Sequence, residues 1–512
     1  MSRIHTTALA TVLALGTAVP AVQAQELIVG FTRDADTLDP ANHRNRETQT
    51  IIRNMYDGIL TRDSEMNIHP EIAESFEQVS PTVYDFKIRS GITFHDGTPL
   101  TVEDVKFTLD RLTQEGGMGD GQTSPRQSLV GPVESVEIIG DDTVRINLSE
   151  PWPLLPAMLP FNEVVSKSFV EEVGSEGMAT QVNGAGPFRL VDWRRGDSVI
   201  MERFDDYYGG ADGIPPVEAA CVERVIFQVI PESASRVAAL LSGDAHIINE
   251  LPPHSMNQVN NSPNAEVMTV NGTRSFFIAM NNEGDIFDDV RVRQAVAHAI
   301  DRDLIIDRIL GGTATPIDGI LSPDAFGKNH DLPGYDYDPE RAQELLAEAG
   351  YPDGIEVTLD TEGAHRDTAE AIASLLTDAG IQTQVSVGEG TLLTQKWREA
   401  EGEKEGDMYL TSWGNGSLDP YDIFVPTHRT DDRGNSAGYA NPELDALLDE
   451  AGVELDRERR AELYQEAEAL AAADAPYVYL WVPQDIYGVS TRLSGWSPSP
   501  DSRINLHNAC LD

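Results

Sequence analysis

The chain has 512 residues, with 85 acidic against 37 basic side chains and a formal net charge of −48 at pH 7. That balance excludes nucleic acid as a partner, because phosphate-backbone binding is driven by basic charge. The carboxylates are spread along the whole chain, which describes a solvated acidic surface and leaves the ligand open.

Residues 1–24 run from Arg3 and His5 through an apolar stretch at 8–19 to Val22-Gln23-Ala24, the pattern of a secretory signal cleaved after Ala24. The apolar run is shorter than the roughly 20 residues that a membrane span needs. No cysteine sits at the cleavage point to carry a lipid anchor, so a free, exported, periplasmic protein is expected. The remainder exceeds the size at which one hydrophobic core stops growing, which implies two or more domains.

Residues 26–31 read as a short apolar strand, 37–41 as a proline-marked turn and 47–60 as a helix. In 83–88, Tyr84, Phe86 and Ile88 alternate with Val83, Asp85 and Lys87, the period of a half-buried strand. Thr101 with Asp104 resembles a capping box, and Val102, Val105, Leu109 and Leu112 share one face of the helix that follows. Between strand and helix lies His95-Asp96-Gly97, half of a metal or general-base site or else a turn. No second histidine at ligand spacing and no carboxylate cluster stands near it, so the turn is the expected reading.

Residues 144–148, 187–193 and 222–230 read as strands, the second of them after the loop NGAGPF. Residues 232–242 read as a helix and 276–280 as a strand. From there helices and strands alternate. Asp289, Asp301 and Asp338-Pro339 open helices, and the one begun by Asp301 is expected to run to Gly311-Gly312. The strand 355–359, the helix 367–379 and the strand 381–387 form a β-α-β unit, so parallel strands are expected. Asn441-Pro442 caps an interrupted helical region to about residue 473, and 477–481 is a last strand.

Cys221 and Cys510 are the only cysteines. Export and an even count favour a bridge between them over two buried thiols. No Gly-x-Ser-x-Gly, Ser-x-x-Lys, phosphate-loop, dinucleotide-fingerprint, His-Glu-x-x-His or Cys-x-x-Cys motif occurs. The 11 histidines are scattered. No catalytic residue, metal ligand or cofactor is therefore assigned, and an enzyme is not expected. The densest loop chemistry is YLTSWGNGSLDPYDIF, residues 409–424. Here Trp413 offers a flat wall with one donor, Gly414 lets backbone approach a ligand, and Asn415, Asp419 and Tyr421 supply polar groups. An ordinary Asp-Pro turn beside a core tryptophan fits the same residues.

FHDGTPLTVEDVKFTLDRL, NGAGPFRL, DDYYGG, MNNEGDIFDDVRVRQAVAHAIDRDLII, YDPERAQELLAEAGYPDG and TSWGNGSLDPYDIF resemble, in order and spacing, the family-five extracellular solute-binding proteins of peptide-type ABC importers. The resemblance spans essentially the whole exported chain. It implies an α/β, bilobed periplasmic-binding-protein fold of type II, in the large peptide-binding class. One lobe would comprise 25–58, 187–280 and 488–512, with an inserted subdomain at 59–186, and the other 281–487. His95 would then lie in the inserted subdomain, away from the cleft.

By the same resemblance Asp419 would pair with a ligand amino group. Arg366, in EGAHRDTAE, is nearest the position of a residue that takes the ligand carboxylate. The implied function is monomeric capture of a peptide-like or other amine-bearing small solute and its delivery to an inner-membrane permease. Nickel complexes, opines and glycosides are alternative solutes, and a secreted hydrolase is the alternative from another class.

Overall fold

The computed structural model describes residues 25–119, 121–211, 220–398 and 406–512; the expected export signal at 1–24 lies outside the described residues. In the first half, Glu26–Phe31 pairs in parallel with Arg224–Val229 on one side and Ile247–Ile248 on the other. Ser198–Arg203 and Phe188–Arg194 extend the sheet antiparallel. Leu27, Val29 and Phe31 pack with Val199, Val225 and Phe227 against Ile51, Ile52 and Tyr56, which makes this apolar strand the centre of one core.

In the second half, Ile355–Glu362 and Ile381–Gly388 pair in parallel and are connected through the helix Arg366–Asp378, which gives the expected β-α-β unit. Ile372 and Leu376 of that helix bury against Val357 and Leu359. Met408–Gly414 adds in parallel, and Arg274–Met280 pairs antiparallel to it.

One strand of 14 residues, Tyr477–Ser490, joins the halves. Its first part pairs with Arg274–Met280 and Ala314–Pro316; its second part pairs with Ala265–Asn271 and Ile247–Ile248. The chain crosses back beside it between Asn271 and Arg274. At this point the Gly272 N–H donates to the Pro483 carbonyl at 3.0 Å. A Cβ on Gly272 would lie 2.7 Å from the same oxygen, so the two crossing strands can approach this closely only with glycine there. Sheet partners change at 271–274 and 482–484. Sheet partners decide to which half each residue belongs.

Between residues 59 and 186 the chain builds a separate four-stranded sheet, ordered Ala73–Ser80, Val83–Ile88, Thr143–Leu148, Val133–Ile139. The helix Val102–Thr113 covers it and carries the expected capping box, with Asp104 accepting from the Thr101 N–H at 2.9 Å. Phe86, Leu109, Leu112, Val144 and Ile146 form its core. His95 is half-buried in a splice to the NGAGPF loop: Nε2 lies 3.0 Å from the Gly186 carbonyl, and Nδ1 accepts from the Gly184 N–H at 3.3 Å. Asp96 and Asn183 bond to one another beside it. Burial pushes the imidazole down to about 4, so His95 is a neutral scaffold residue.

Three elements depart from expectation. The helix read at 47–60 is Arg46–Ile52, because Arg53 and the Gly58 N–H both turn toward the Glu71 carboxylate and draw the chain out of helical geometry. The helix begun by Asp301 stops at Arg308, short of the glycine pair. The strand read at 477–481 continues to Ser490 because partners in both halves extend it.

Cys221 and Cys510 are joined, with Cα atoms 5.0 Å apart and 289 positions between them in sequence. Replacing both by serine is expected to lower the unfolding free energy by at most about 5 kcal/mol, since cross-linking a loop this long restricts the unfolded chain strongly. Urea unfolding checks this; an unchanged midpoint would show that the bridge contributes nothing.

Candidate binding site

The strand Met408–Gly414 ends at the junction between the halves, and its last residues face the first half across a cavity of about 260 Å³. Arg44, Arg46, Gln49, Arg126 and Phe161 line the cavity from one side; Trp413, Gly414, Ser417, Asp422 and Arg433 line it from the other. Arg46 also borders a cavity of about 390 Å³ that holds Asn249, Glu250 and Asp485. Thr313 links that space to an apolar one of about 220 Å³ between Phe276, Leu310, His365, Leu410 and Trp481. The three compartments adjoin along the crossing strands, arginine-rich at one end and apolar at the other. Concave space at a domain junction, with polar groups converging on it, is the usual form of a small-molecule site.

Trp413 forms a wall. Its Nε1–H donates to the Asp422 carbonyl at 3.0 Å, and the Arg398 and Arg433 guanidiniums lie 5.0 and 5.2 Å from its ring centre. A Cβ on Gly434 would stand 2.7 Å from the ring, so glycine there gives the indole its place. Arg62 donates to the Gly416 carbonyl at 3.0 Å, a direct contact between the halves.

Trp413 and Gly414 thus line the cavity. Asn415 is buried beneath it and donates its backbone N–H to the Thr273 carbonyl at 2.7 Å, which ties the loop to the crossing. Tyr421 is half-buried and packs between the core of the inserted subdomain and that of the second half. Arg366 is exposed at the start of its helix and off the cavity lining, whereas the preceding His365 borders the apolar compartment.

Asp419 requires a correction. Its two carboxylate oxygens accept from Arg460 Nη1 and Nη2 at 2.6 and 2.8 Å, and Oδ1 also accepts from the Tyr421 N–H. Both side chains are buried, at 7 and 5 % exposure. The guanidinium is further fixed by the Ala451 carbonyl and the Tyr464 hydroxyl. Asp419 is thus paired within the protein and off the lining of the three cavities; it anchors the loop to the helix Arg457–Asp474.

Two acids line the cavity: Asp501, paired with Arg503 at 3.0 Å, and Asp422. Ser417 donates to Asp422, and burial pushes its carboxyl up to about 6 despite Arg62 and Arg433 nearby. Asp422 stands within the loop 409–424 singled out above, although it is not among the site residues expected there; the arginines gave no local sequence signal, since they converge from separate segments. Elsewhere, Asp57, Glu71 and His507 offer atoms within 4.8 Å of one another. Their capacity is already used: Arg53 donates to both Glu71 oxygens at 2.6 and 2.8 Å, and Tyr207 and Tyr208 both donate to Asp57 at 2.8 Å.

Two outcomes follow from this geometry. Asp419→Asn should lose about 3–5 kcal/mol of stability, because it strands the buried Arg460 charge; thermal or urea unfolding measures it, and a loss near zero would contradict the structural role. For Asp422, a raised carboxyl means that the native state favours the protonated form. Its contribution to stability is full below the unfolded value of 3.8 and is lost as pH rises through about 6. Asp422→Asn should therefore raise the melting temperature at pH 7.5 and give little gain at pH 4, with the difference between variant and parent as the readout.

The family model for bacterial extracellular solute-binding proteins, family 5 (middle), matches residues 67–435. The glutathione-binding protein GsiB of Pectobacterium atrosepticum is 28% identical over 523 residues, covering 98% of this chain and 97% of its own. Among solved structures, HbpA2 from Haemophilus parasuis superposes with a TM-score of 0.87 at 23% identity, covering 95% of this chain and 100% of its own. The oligopeptide-binding protein AppA from Bacillus subtilis, in complex with a nonapeptide, gives 0.73 at 24% identity, covering 96% and 100%. The architecture is accordingly the bilobed α/β fold of the peptide-binding class, and the chain belongs to the family 5 bacterial extracellular solute-binding proteins.

Proposed function

We propose that this protein is the periplasmic solute-binding component of an ABC importer, acting as a monomer that closes its two lobes on a small peptide-like solute and delivers it unchanged to an inner-membrane permease. The observation that carries the reading is the run of three adjoining cavities at the lobe junction, with walls supplied by both lobes. Full-length relatives named for glutathione binding support a peptide-like solute. The paired crossings at Gly272 and Pro483 supply the physical means of closure: two short segments through which one lobe can rotate while each sheet stays intact.

A thermal-shift screen over dipeptides, glutathione, opines and nickel chelates tests the reading. A solute that binds only the folded state adds roughly 2.7 kcal/mol at about 100 times its dissociation constant. The stabilising solute should also contract the particle in X-ray scattering and quench or shift the Trp413 fluorescence. Stabilisation with neither change would place the solute elsewhere than in the cleft.

A further inference from the structure

Seven arginines stand at the charged end of the cleft; one, Arg503, is ion-paired with Asp501 at 3.0 Å, and the other six are not. Arg44, Arg46 and Arg126 come from the first lobe; Arg274, Arg398 and Arg433 come from the second. Arg44, Arg46, Arg126 and Arg433 line the cavity itself. Arg274 lies against Gly414 and Arg398 against Trp413, both of them wall residues.

Their hydrogen bonds among the described residues go to neutral groups. Arg44 donates to the Pro125 carbonyl and the Ser128 hydroxyl, both at 2.6 Å. Arg46 donates to the hydroxyls of Ser502 and Thr273 at 2.6 and 3.2 Å. Arg126 donates to the Asn162 side-chain carbonyl at 3.4 Å and to the Phe161 carbonyl. Arg274 donates to the Ser412 hydroxyl at 3.3 Å, and Arg398 to the Thr411 hydroxyl at 3.0 Å. Arg433 rests on the Trp413 ring. None of the six has a carboxylate oxygen within 4.0 Å among the described residues, although the chain holds 85 acidic side chains.

The nearest acids are engaged or set back. Ser417 donates to Asp422 and Ser502 donates to Asp485, while Glu362 acts on Arg274 and Arg398 only at longer range. Arg126 is pushed down to about 10, first by burial, with Glu163 opposing the shift and Arg503 and Arg44 adding to it. Burial and then Arg46 and Arg398 depress Arg274. Like charges gathered this way, in a chain with acids to spare, lower one another's stability as cations until an anion enters. A guanidinium fork matches the geometry of a carboxylate.

Building on the solute-binding reading above, we propose that the solute is a small peptide-like compound bearing two or more carboxylates, gripped by arginines of both lobes so that the anion itself draws the cleft closed. Arg46 on one lobe and Arg433 on the other are the principal contacts. The adjoining apolar compartment between Phe276, Leu410 and Trp481 takes the uncharged part of the solute.

Calorimetry on the full exported chain tests the proposal with reduced glutathione, glutamyl-glutamate, glutathione diethyl ester and trialanine as probes. Glutathione or glutamyl-glutamate should bind, and the diethyl ester and trialanine should bind at least about 100-fold more weakly. Raising the ionic strength from about 0.02 M to about 0.5 M should weaken the acidic probes, as screening requires. Arg46→Gln and Arg433→Gln should each cost at least about thirtyfold in affinity, and Arg433→Gln should do so with an unchanged melting temperature in the absence of solute. If trialanine or the diester binds as tightly as the acidic probes, or if both variants keep parental affinity, the polyanion assignment is overturned while the solute-binding reading stands. If none of the four binds, the peptide-like reading fails and takes this inference with it.

Discussion

One backbone constraint governs the rest of the molecule: the strand Tyr477–Ser490 belongs to two sheets at once. Its hydrogen bonds to Arg274–Met280 fix the second lobe, and its bonds to Ala265–Asn271 fix the first. Because both crossings run side by side, the lobes are set by a ribbon whose tightest point is the contact of Gly272 with Pro483. The three cavities follow this ribbon, and any rotation about it changes the distance between Arg46 and Arg433 while leaving each lobe's core untouched. Elements that hinge in this way absorb motion in a few residues and keep the packed layers rigid.

The arginines divide into two uses. Arg53, Arg111 and Arg460 are buried and bidentate or nearly so on Glu71, Asp39 and Asp419, where both charges lose water and regain it as hydrogen bonds. Those pairs fix loops to helices and add specificity of geometry more than net stability. At the cleft, Arg44, Arg46, Arg274 and Arg433 have no carboxylate oxygen within 4.0 Å among the described residues and remain partly exposed. A surface of strongly negative sign around a locally positive cleft also shapes the approach of a solute: an anion is repelled by most of the surface and attracted only at the mouth.

The fold was legible where it rests on local chemistry. The alternation in Val83–Ile88, the Thr101–Asp104 capping box and the Asp338-Pro339 helix start each act within a few residues, and each is found as read. The cysteine pairing was legible because only one pairing was possible. Asp419 was misread for a definable reason: an Asp-Pro turn looks the same whether its carboxylate faces solvent, a ligand or an arginine, and Arg460 lies 41 positions later on another helix. The arginine cluster left no trace in the sequence, because its members come from five separated segments and acquire meaning only when two lobes face each other. Pro483 lies just past the strand read at 477–481. In three dimensions it sits where the strand changes sheets, and its missing N–H falls where one partner gives way to the next.

The disulfide has a topological effect apart from its thermodynamic one. Cys221 precedes the first crossing and Cys510 follows the second, so the entire second lobe is contained in a covalent ring closed within the first lobe. A protease that cuts one exposed loop of that lobe opens the ring without dividing the molecule. The strand Tyr477–Ser490 and its neighbours still hold the sheet, and the two chain pieces stay attached through sulfur. Release of a fragment requires either a second cut in the ring or reduction, so the lobe that carries Trp413 and Arg433 tolerates a single nick as one molecule.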